Sequence, residues 1–426
     1  MKVKVITLGC KVNTYESQYI IEKFLEKGYE ITNSKADIYV INTCSVTNQS
    51  DAKSRKVINK VIRENSDAVI VVMGCMIESH KDYQNEKVSI ILGNKDKAKV
   101  VSLVSEYLKM HEKKKILYDD FDSKFEDMFI KNMSSRTRAF IKIQDGCENF
   151  CSYCIIPYTR GKQRSKKKEV VLEEVNTLVN NNYKEIVLTG IHTGHYGSDI
   201  KTTFPELLEE ILKIEKLKRV RISSIEITEL NDEFLRVLKS SFKIANQIHI
   251  PLQSGSDTIL KLMNRKYLTN YFYDKINMIR KIRPDISITT DLIVGFPGES
   301  EELFLETYEF IKKIKFTKVH VFPYSIREGT KASLMPNQVP ENIKKERVRK
   351  IIELSNQLES EYLDKFIGQE VLVLIEESDE IASVGHTSNY LKVKVLEKIE
   401  SNKEVLVKIN SKCENTLIGE VINEGN

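Results

Sequence analysis

Six of the seven cysteines in this 426-residue chain fall into two sets of three. The tighter set is Cys147-Glu148-Asn149-Phe150-Cys151-Ser152-Tyr153-Cys154, a C-x3-C-x2-C run. The looser set is Cys10, Cys44 and Cys75, each following its own short apolar run. The spacing of the tight run differs from the C-x2-C pairs of zinc ribbons and from four-cysteine ferredoxin runs. Three thiolates suit a four-iron cube with one iron left open for a substrate or cofactor. Both sets therefore read as iron–sulfur ligands. Zinc or free thiols are the alternatives for the tight run, and three buried structural cysteines the alternative for the loose one. The seventh cysteine, Cys413, has no partner in sequence and reads as a spare thiol.

The elements that must position these thiols form an α/β protein in three parts. Residues 1–112 alternate near-continuous apolar runs (Val3–Leu8, Ile38–Asn42, Ala68–Met73, Val88–Leu92) with helical patterns such as Glu16–Glu26 and Ala52–Glu64. That is the signature of an open parallel sheet, whose ligands bind at the carboxyl ends of its strands. Cys10, Cys44 and Cys75 each follow such a strand within about two residues, so the topology brings them to one edge. Residues about 112–136 are charged and aperiodic and read as a linker. Residues 133–365 hold six further strands with helices between them: Phe140–Gln144, Glu185–Leu188, Arg219–Ser223, Gln247–Pro251, Ser287–Val294 and Lys318–Phe322. These predict a partial (β/α)6 barrel with its chemistry on the loops after the strands, and the C-x3-C-x2-C run lies on the first of them. Residues 366–426 change to short alternating strands, the pattern of a small antiparallel β-barrel.

Composition narrows the class. No run approaches the ~20 apolar residues of a membrane helix, and the start Met1-Lys2-Val3-Lys4 has no signal-peptide core. Cysteines in that context predict a cytoplasmic protein with ligand thiols, not disulfides. The net charge is +5, unevenly spread. Residues 366–426 carry 6 Lys/Arg against 11 Asp/Glu, which leaves 60 against 50 in residues 1–365. A basic body is compatible with RNA or with an ordinary solvated face.

Read together, these motifs resemble the radical S-adenosylmethionine (SAM) methylthiotransferases along nearly the whole chain. The resemblance rests on Gly9-Cys10-Lys11-Val12-Asn13, Asn42-Thr43-Cys44 and Met73-Gly74-Cys75-Met76, and on Gln144-Asp145-Gly146-Cys147 through Cys154 with Ile155–Gly161. It continues through Ile250–Ser256, Thr290–Glu299 and Gly385–Tyr390. Such enzymes join an amino-terminal methylthiotransferase domain, a radical-SAM barrel and a carboxyl-terminal TRAM domain. The Gly-Cys-Lys-Val-Asn segment is similar to the branch acting on threonylcarbamoyladenosine in tRNA. The isopentenyladenosine branch usually has Gly-Cys-Gln-Met-Asn there, and the branch modifying a ribosomal protein Gly-Cys-Pro-Lys-Asn.

The resemblance implies two 4Fe-4S clusters, one on Cys147, Cys151 and Cys154 and one on Cys10, Cys44 and Cys75. It implies SAM as radical source and methyl donor, tRNA as partner, an external electron donor of the flavodoxin or ferredoxin kind, and a sulfur source. The reaction expected is replacement of C2–H of the modified adenosine just 3′ of the anticodon by a methylthio group. That carbon offers side-chain acid–base chemistry no handle, so the cofactor supplies the reactivity. Around SAM, Tyr153 is expected against the adenine or in a core contact. Gly190 sits where relatives keep a glycine-rich SAM-amine motif, here without its acidic residue. Glu226 faces the ribose or is an exposed loop acid, and Gly295 and Pro297 let backbone approach the nucleoside or form an ordinary turn. Lys162–Lys168 is expected either to contact phosphate or to be a solvated charge run. His192, His195 and His320 follow strands and read as polar or structural. A different class of reading is a metal-stabilised RNA-binding protein without catalysis, which metal analysis distinguishes.

Overall fold

A computed structural model describes residues 1–117, 124–134 and 137–422. The amino-terminal part is a six-stranded sheet of order β2-β1-β3-β4-β5-β6 with every pairing parallel. Its strands are β1 (Lys2–Thr7), β2 (Glu30–Ile31), β3 (Ile38–Thr43), β4 (Val69–Gly74), β5 (Ile90–Leu92) and β6 (Lys114–Ile116). Helices α1 (Lys11–Glu26), α2 (Asn48–Glu64), α3 (Cys75–Ser79) and α4 (Val100–Met110) cover both faces. In the buried β3, alternate side chains feed different cores: Ile38 and Val40 pack with Ile20 and Phe24 of α1, Tyr39 and Ile41 with Ile58 and Val61 of α2. Two buried faces explain why the strand has no polar alternation. The sheet runs on past residue 112 into the charged segment, because β6 is an edge strand and edges tolerate lysine.

The central part is a partial barrel of β7 (Arg138–Lys142), then β8 (Gln144–Asp145) and β9 (Arg164–Ser165), β10 (Glu185–Thr189), β11 (Arg219–Ile222), β12 (Gln247–His249), β13 (Ser287–Val294) and β14 (Lys318–Pro323). Two parallel three-stranded sheets, β11-β10-β7 and β12-β13-β14, form the wall. A parallel bridge between Val220 and Ile244 joins them. The short pair β8/β9 is antiparallel and clasps the cysteine loop between its strands. Helices α5 (Ile156–Arg160), α6 (Lys168–Asn180), α7 (Phe204–Leu212), α8 (Asp232–Ser240), α9 (Asp257–Leu262), α10 (Thr269–Ile282), α11 (Glu301–Ile314) and α12 (Glu341–Asp364) complete it. Tyr15 of α1 joins the barrel's core and donates to Met128 O at 2.7 Å, so the two parts share one apolar mass.

Five strands, β15 (Glu370–Ser378), β16 (Ser383–Thr387), β17 (Lys392–Val395), β18 (Glu404–Cys413) and β19 (Thr416–Val421), close into the carboxyl-terminal barrel. It docks on the amino ends of the central strands. Arg138 and Arg219, which open β7 and β11, pair with Glu376 at 2.9 Å and Glu404 at 3.2 Å. Both the Arg138 and Arg221 guanidinium carbons lie 4.8 Å from the Tyr390 ring centre. The carboxyl ends, where barrel chemistry belongs, face the amino-terminal sheet. Among the described residues no helix is long and apolar enough to cross a membrane.

Candidate cluster sites and substrate cavity

Cys10, Cys44 and Cys75 stand at the carboxyl ends of the adjacent strands β1, β3 and β4. Cys10 is the N-cap residue of α1 but makes no side-chain cap bond; its thiol has one long contact, to Asn13 Oδ1 at 4.0 Å. The backbone before it must be glycine. Gly9 has φ +100°, and a Cβ there would lie 2.6 Å from Cys44 Cβ and 2.8 Å from its Sγ. Gly74, before Cys75, has φ +106°, and its Cβ would press on Thr43 O at 2.7 Å. Asn13 ties the loops together: its Nδ2 donates to Leu8 O at 2.7 Å and to Thr43 O at 2.9 Å. Asn94 Nδ2 lies 3.4 Å from Cys75 Sγ and donates to Thr159 O at 2.8 Å, which reaches across to the barrel.

The second set sits on the loop between β8 and β9. Cys147 N donates to Gly161 O at 3.1 Å and Cys154 N to Cys151 O at 3.0 Å, so the loop turns back on itself. Residues Leu262–Tyr267 brace it: Ser152 N donates to Met263 O at 3.0 Å, and Asn264 Nδ2 to Phe150 O at 3.0 Å. Arg265 places Nη1 3.4 Å from Cys151 Sγ and pairs with Glu226. His192 Nδ1 lies 3.9 Å from Cys147 Sγ, its Nε2 meets Glu229, and His195 stacks on it at 4.1 Å. Burial would lower His192, but hydrogen bonds to Cys147 and Glu229 raise it to about 10.

All six cysteines line one cavity of about 1040 Å³ that continues down the barrel lumen. Ligand pockets commonly measure about 300–1,000 Å³, so this space suits SAM and a nucleoside together. Burial pushes the Cys154 thiol up to about 12, helped by the neighbouring Cys151. Desolvation by the surrounding protein also raises Cys44, which is buried, and Cys10, which is exposed to the cavity. Cys10, Cys44 and Cys154, held neutral by desolvation, become thiolates when a metal takes the charge, and two triads of soft sulfur ligands fit iron–sulfur clusters.

Between the two triads lies Arg160, buried, with Nη2 donating to Asn13 Oδ1 at 2.8 Å and Nη1 3.1 Å from Glu16 and 3.0 Å from Asp145. Glu16 also receives Lys97 at 2.6 Å and Lys142 at 2.9 Å. Burial alone would raise the Glu16 carboxyl, but Lys142, Lys97 and Arg160 hold it well below the usual carboxylate range. Sequence periodicity gave no sign of this network.

Tyr153, Gly190 and Glu226 line the cavity, and Glu226 is bound to Arg265. Gly190 packs on Gln144, 3.0 Å from where a Cβ would stand. Gly295 and Pro297 do not line the cavity. They are buried in a turn beyond β13, where Gly295 N donates to Glu299 at 2.7 Å and the backbone packs on Lys344 of α12. Two of the five cations in the basic run are structural. Arg164 meets Asp145, Lys166 meets Glu174, and both are buried, leaving Lys162 and Lys167 exposed.

The Radical SAM superfamily profile matches residues 141–311, and the profile described as "Uncharacterized protein family UPF0004" matches residues 2–93. Barrel, cysteine loop and profile together define a radical-SAM protein with a second cysteine centre on an amino-terminal sheet. "Threonylcarbamoyladenosine tRNA methylthiotransferase MtaB" of Bacillus subtilis is 46% identical over 399 residues, covering 91% of this chain and 88% of that relative. Its Aquifex aeolicus namesake is 40% identical over 92% and 96%. A "tRNA-2-methylthio-N(6)-dimethylallyladenosine synthase" from Acetivibrio thermocellus is 36% identical over 87% and 79%. The chain belongs to the radical-SAM tRNA methylthiotransferases, and its cofactors are SAM and 4Fe-4S clusters. Among solved structures, the radical SAM methyltransferase TsrM from Kitasatospora setae, with cobalamin and a [4Fe-4S] cluster bound, shares the fold. Its TM-score is 0.56 at 12% identity, over 78% of this chain and 77% of that one.

Proposed function

We propose that this chain inserts a methylthio group at C2 of N6-threonylcarbamoyladenosine, next to the anticodon on its 3′ side, in tRNA. The observation that carries it is the convergence of two cysteine triads on one cavity. The 46% identity to a relative named for that substrate supports it. When bound, clusters on Cys147, Cys151 and Cys154 and on Cys10, Cys44 and Cys75 supply the one-electron reduction of SAM and the sulfur to be inserted. The chain's own residues orient and enclose. Arg265 and His192 fix the sulfur ligands Cys151 and Cys147, and Asn13 and Asn94 do the same for the other triad. Tyr153, Gly190 and Glu226 wall the SAM side of the cavity. Residues 1–112 carry the sulfur-inserting centre, 133–365 the SAM centre and 366–426 the closing barrel. A flavodoxin- or ferredoxin-like electron donor and a sulfur source complete the reaction in the cytoplasm.

Nucleoside mass spectrometry of bulk tRNA from cells with and without the gene tests the reading. Loss of 2-methylthio-N6-threonylcarbamoyladenosine with accumulation of its precursor is expected. Loss of the dimethylallyl (isopentenyl) derivative instead would move the substrate to the other branch. An unchanged tRNA pool overturns the reading and points to a protein target.

A further inference from the structure

The cavity wall carries seven Lys/Arg side chains and three Asp/Glu. Five of the seven cations already have an acidic partner: Arg160 has Glu16 and Asp145, Arg265 has Glu226, Lys318 has Glu359, Arg138 has Glu376 and Arg221 has Glu185. Among the described residues, the ammonium groups of Lys11 and Lys392 have neither a hydrogen bond nor an ion pair. Lys392 belongs to β17 in the docked carboxyl-terminal barrel. Lys11 directly follows Cys10 and projects into the lumen, where the fields of Arg221 and Arg138 outweigh that of Glu185. Lys11 is exposed to the cavity, and a cation there with no bonded partner is available to an anion that enters.

The expected substrate brings such an anion. In N6-threonylcarbamoyladenosine, C2 and the N6-bearing carbon flank the same ring nitrogen, and the N6 group ends in a free threonyl carboxylate. A base presented with C2 toward Cys10, Cys44 and Cys75 therefore holds its N6 group beside the loop that carries Lys11. A dimethylallyl group at N6 offers this cation nothing. Resting on the substrate reading above, we propose that Lys11, backed by Arg221 and Arg138, is the carboxylate subsite by which this chain selects threonylcarbamoyl over uncharged N6 groups.

Binding to cluster-loaded protein is measured for an anticodon stem-loop RNA carrying N6-threonylcarbamoyladenosine, and for the same RNA with the threonyl carboxylate converted to a carboxamide. The wild-type chain should prefer the acid by about 10- to 100-fold, the worth of a charged hydrogen bond. K11Q should lose the preference and Lys11→Arg should keep it. Because Lys11 adjoins Cys10, iron per chain and SAM affinity are measured on every variant, and binding needs no turnover. Equal wild-type binding of acid and carboxamide, with the acid RNA still methylthiolated, overturns the subsite and leaves the function standing. A K11Q chain with full preference, or one that loses iron or SAM affinity, assigns Lys11 another role and also overturns it. A wild-type chain that modifies only the dimethylallyl RNA overturns the function and the subsite together.

Discussion

Glu16→Gln tests whether the buried ion network, and not apolar packing alone, holds the amino-terminal sheet against the barrel. The substitution keeps the shape and removes one charge, leaving Lys142 and Arg160 on Asp145 and Lys97 without its ion-pair partner. The side chains of Glu16, Lys97, Lys142 and Arg160 are 2%, 0%, 2% and 1% exposed, so solvent screens none of them. Removing one partner from a buried ionic group costs about 3–5 kcal/mol. With a urea slope of about 3 kcal/mol/M, that lowers the midpoint by about 1 M or more. The chain has no tryptophan, so circular dichroism of the cluster-free protein follows the transition. The pH dependence has a definite sign. Glu16 is held low in the fold, so its contribution is complete above the unfolded carboxylate value, about 4.3, and is lost as pH falls toward the folded one. The share of the difference between wild type and Glu16→Gln that comes from the titration of Glu16 itself should therefore be constant from pH 8 to 6, while Glu126, raised to about 7 by burial, titrates beside it. Below about 4.3 the Glu16 share should shrink by about 1.4 kcal/mol per pH unit. A midpoint shift under about 0.2 M at pH 7, or a difference that does not change at acid pH, refutes the reasoning.

Two further tests address the clusters and the docked barrel. Cys151→Ala and Cys44→Ala should each retain about half the wild-type iron, on the basis of three ligands per cluster. The first should lose SAM cleavage, whereas the second should keep cleavage and lose methylthiolation; methylthiolated product from Cys44→Ala sinks the assignment. Tyr390→Ala removes two ring–guanidinium contacts, each worth about 0.5–2 kcal/mol. Hydrogen exchange should quicken in β16 and β17 and at the amino ends of β7 and β11, and unchanged exchange there would mean the ring does not hold the interface.

What could be read from the sequence was whatever repeats locally. Cys44 and Cys75 follow apolar runs buried on both faces and Cys10 follows the half-buried β1, so their convergence followed from strand topology. The barrel strands were legible for the same reason. The ionic centre was not, because Glu16, Asp145 and Arg160 sit among polar neighbours and charged residues are usually exposed. Only the meeting of α1, β8 and α5 makes them buried. Arg164 and Lys166 belonged to a run that looks like a solvated face, until Asp145 and Glu174 arrive from other elements. Gly295 and Pro297 follow a strand end like the true cavity residues, but their turn tucks under α12. Arg265 and His192 lie far along the chain from the cysteines they contact, and neither is in a spacing that marks a ligand shell.

The acidic balance of residues 366–426 takes on a different meaning once the docking is known. A net count treats all 11 acidic residues as surface facing a partner. Glu376 and Glu404 instead face Arg138 and Arg219 on the barrel floor. Those arginines are part of the surplus that made residues 1–365 look like an RNA surface. The same two pairs thus inflate both apparent imbalances, basic body and acidic tail, while joining them. Charge complementarity here first serves attachment of the two barrels. Arg138 and Arg221, each paired with a carboxylate of its own, Glu376 or Glu185, also line the lumen and flank Tyr390, so the attachment reaches the cavity floor. The acidic tail and the arginines that open β7 and β11 are thus two sides of one interface.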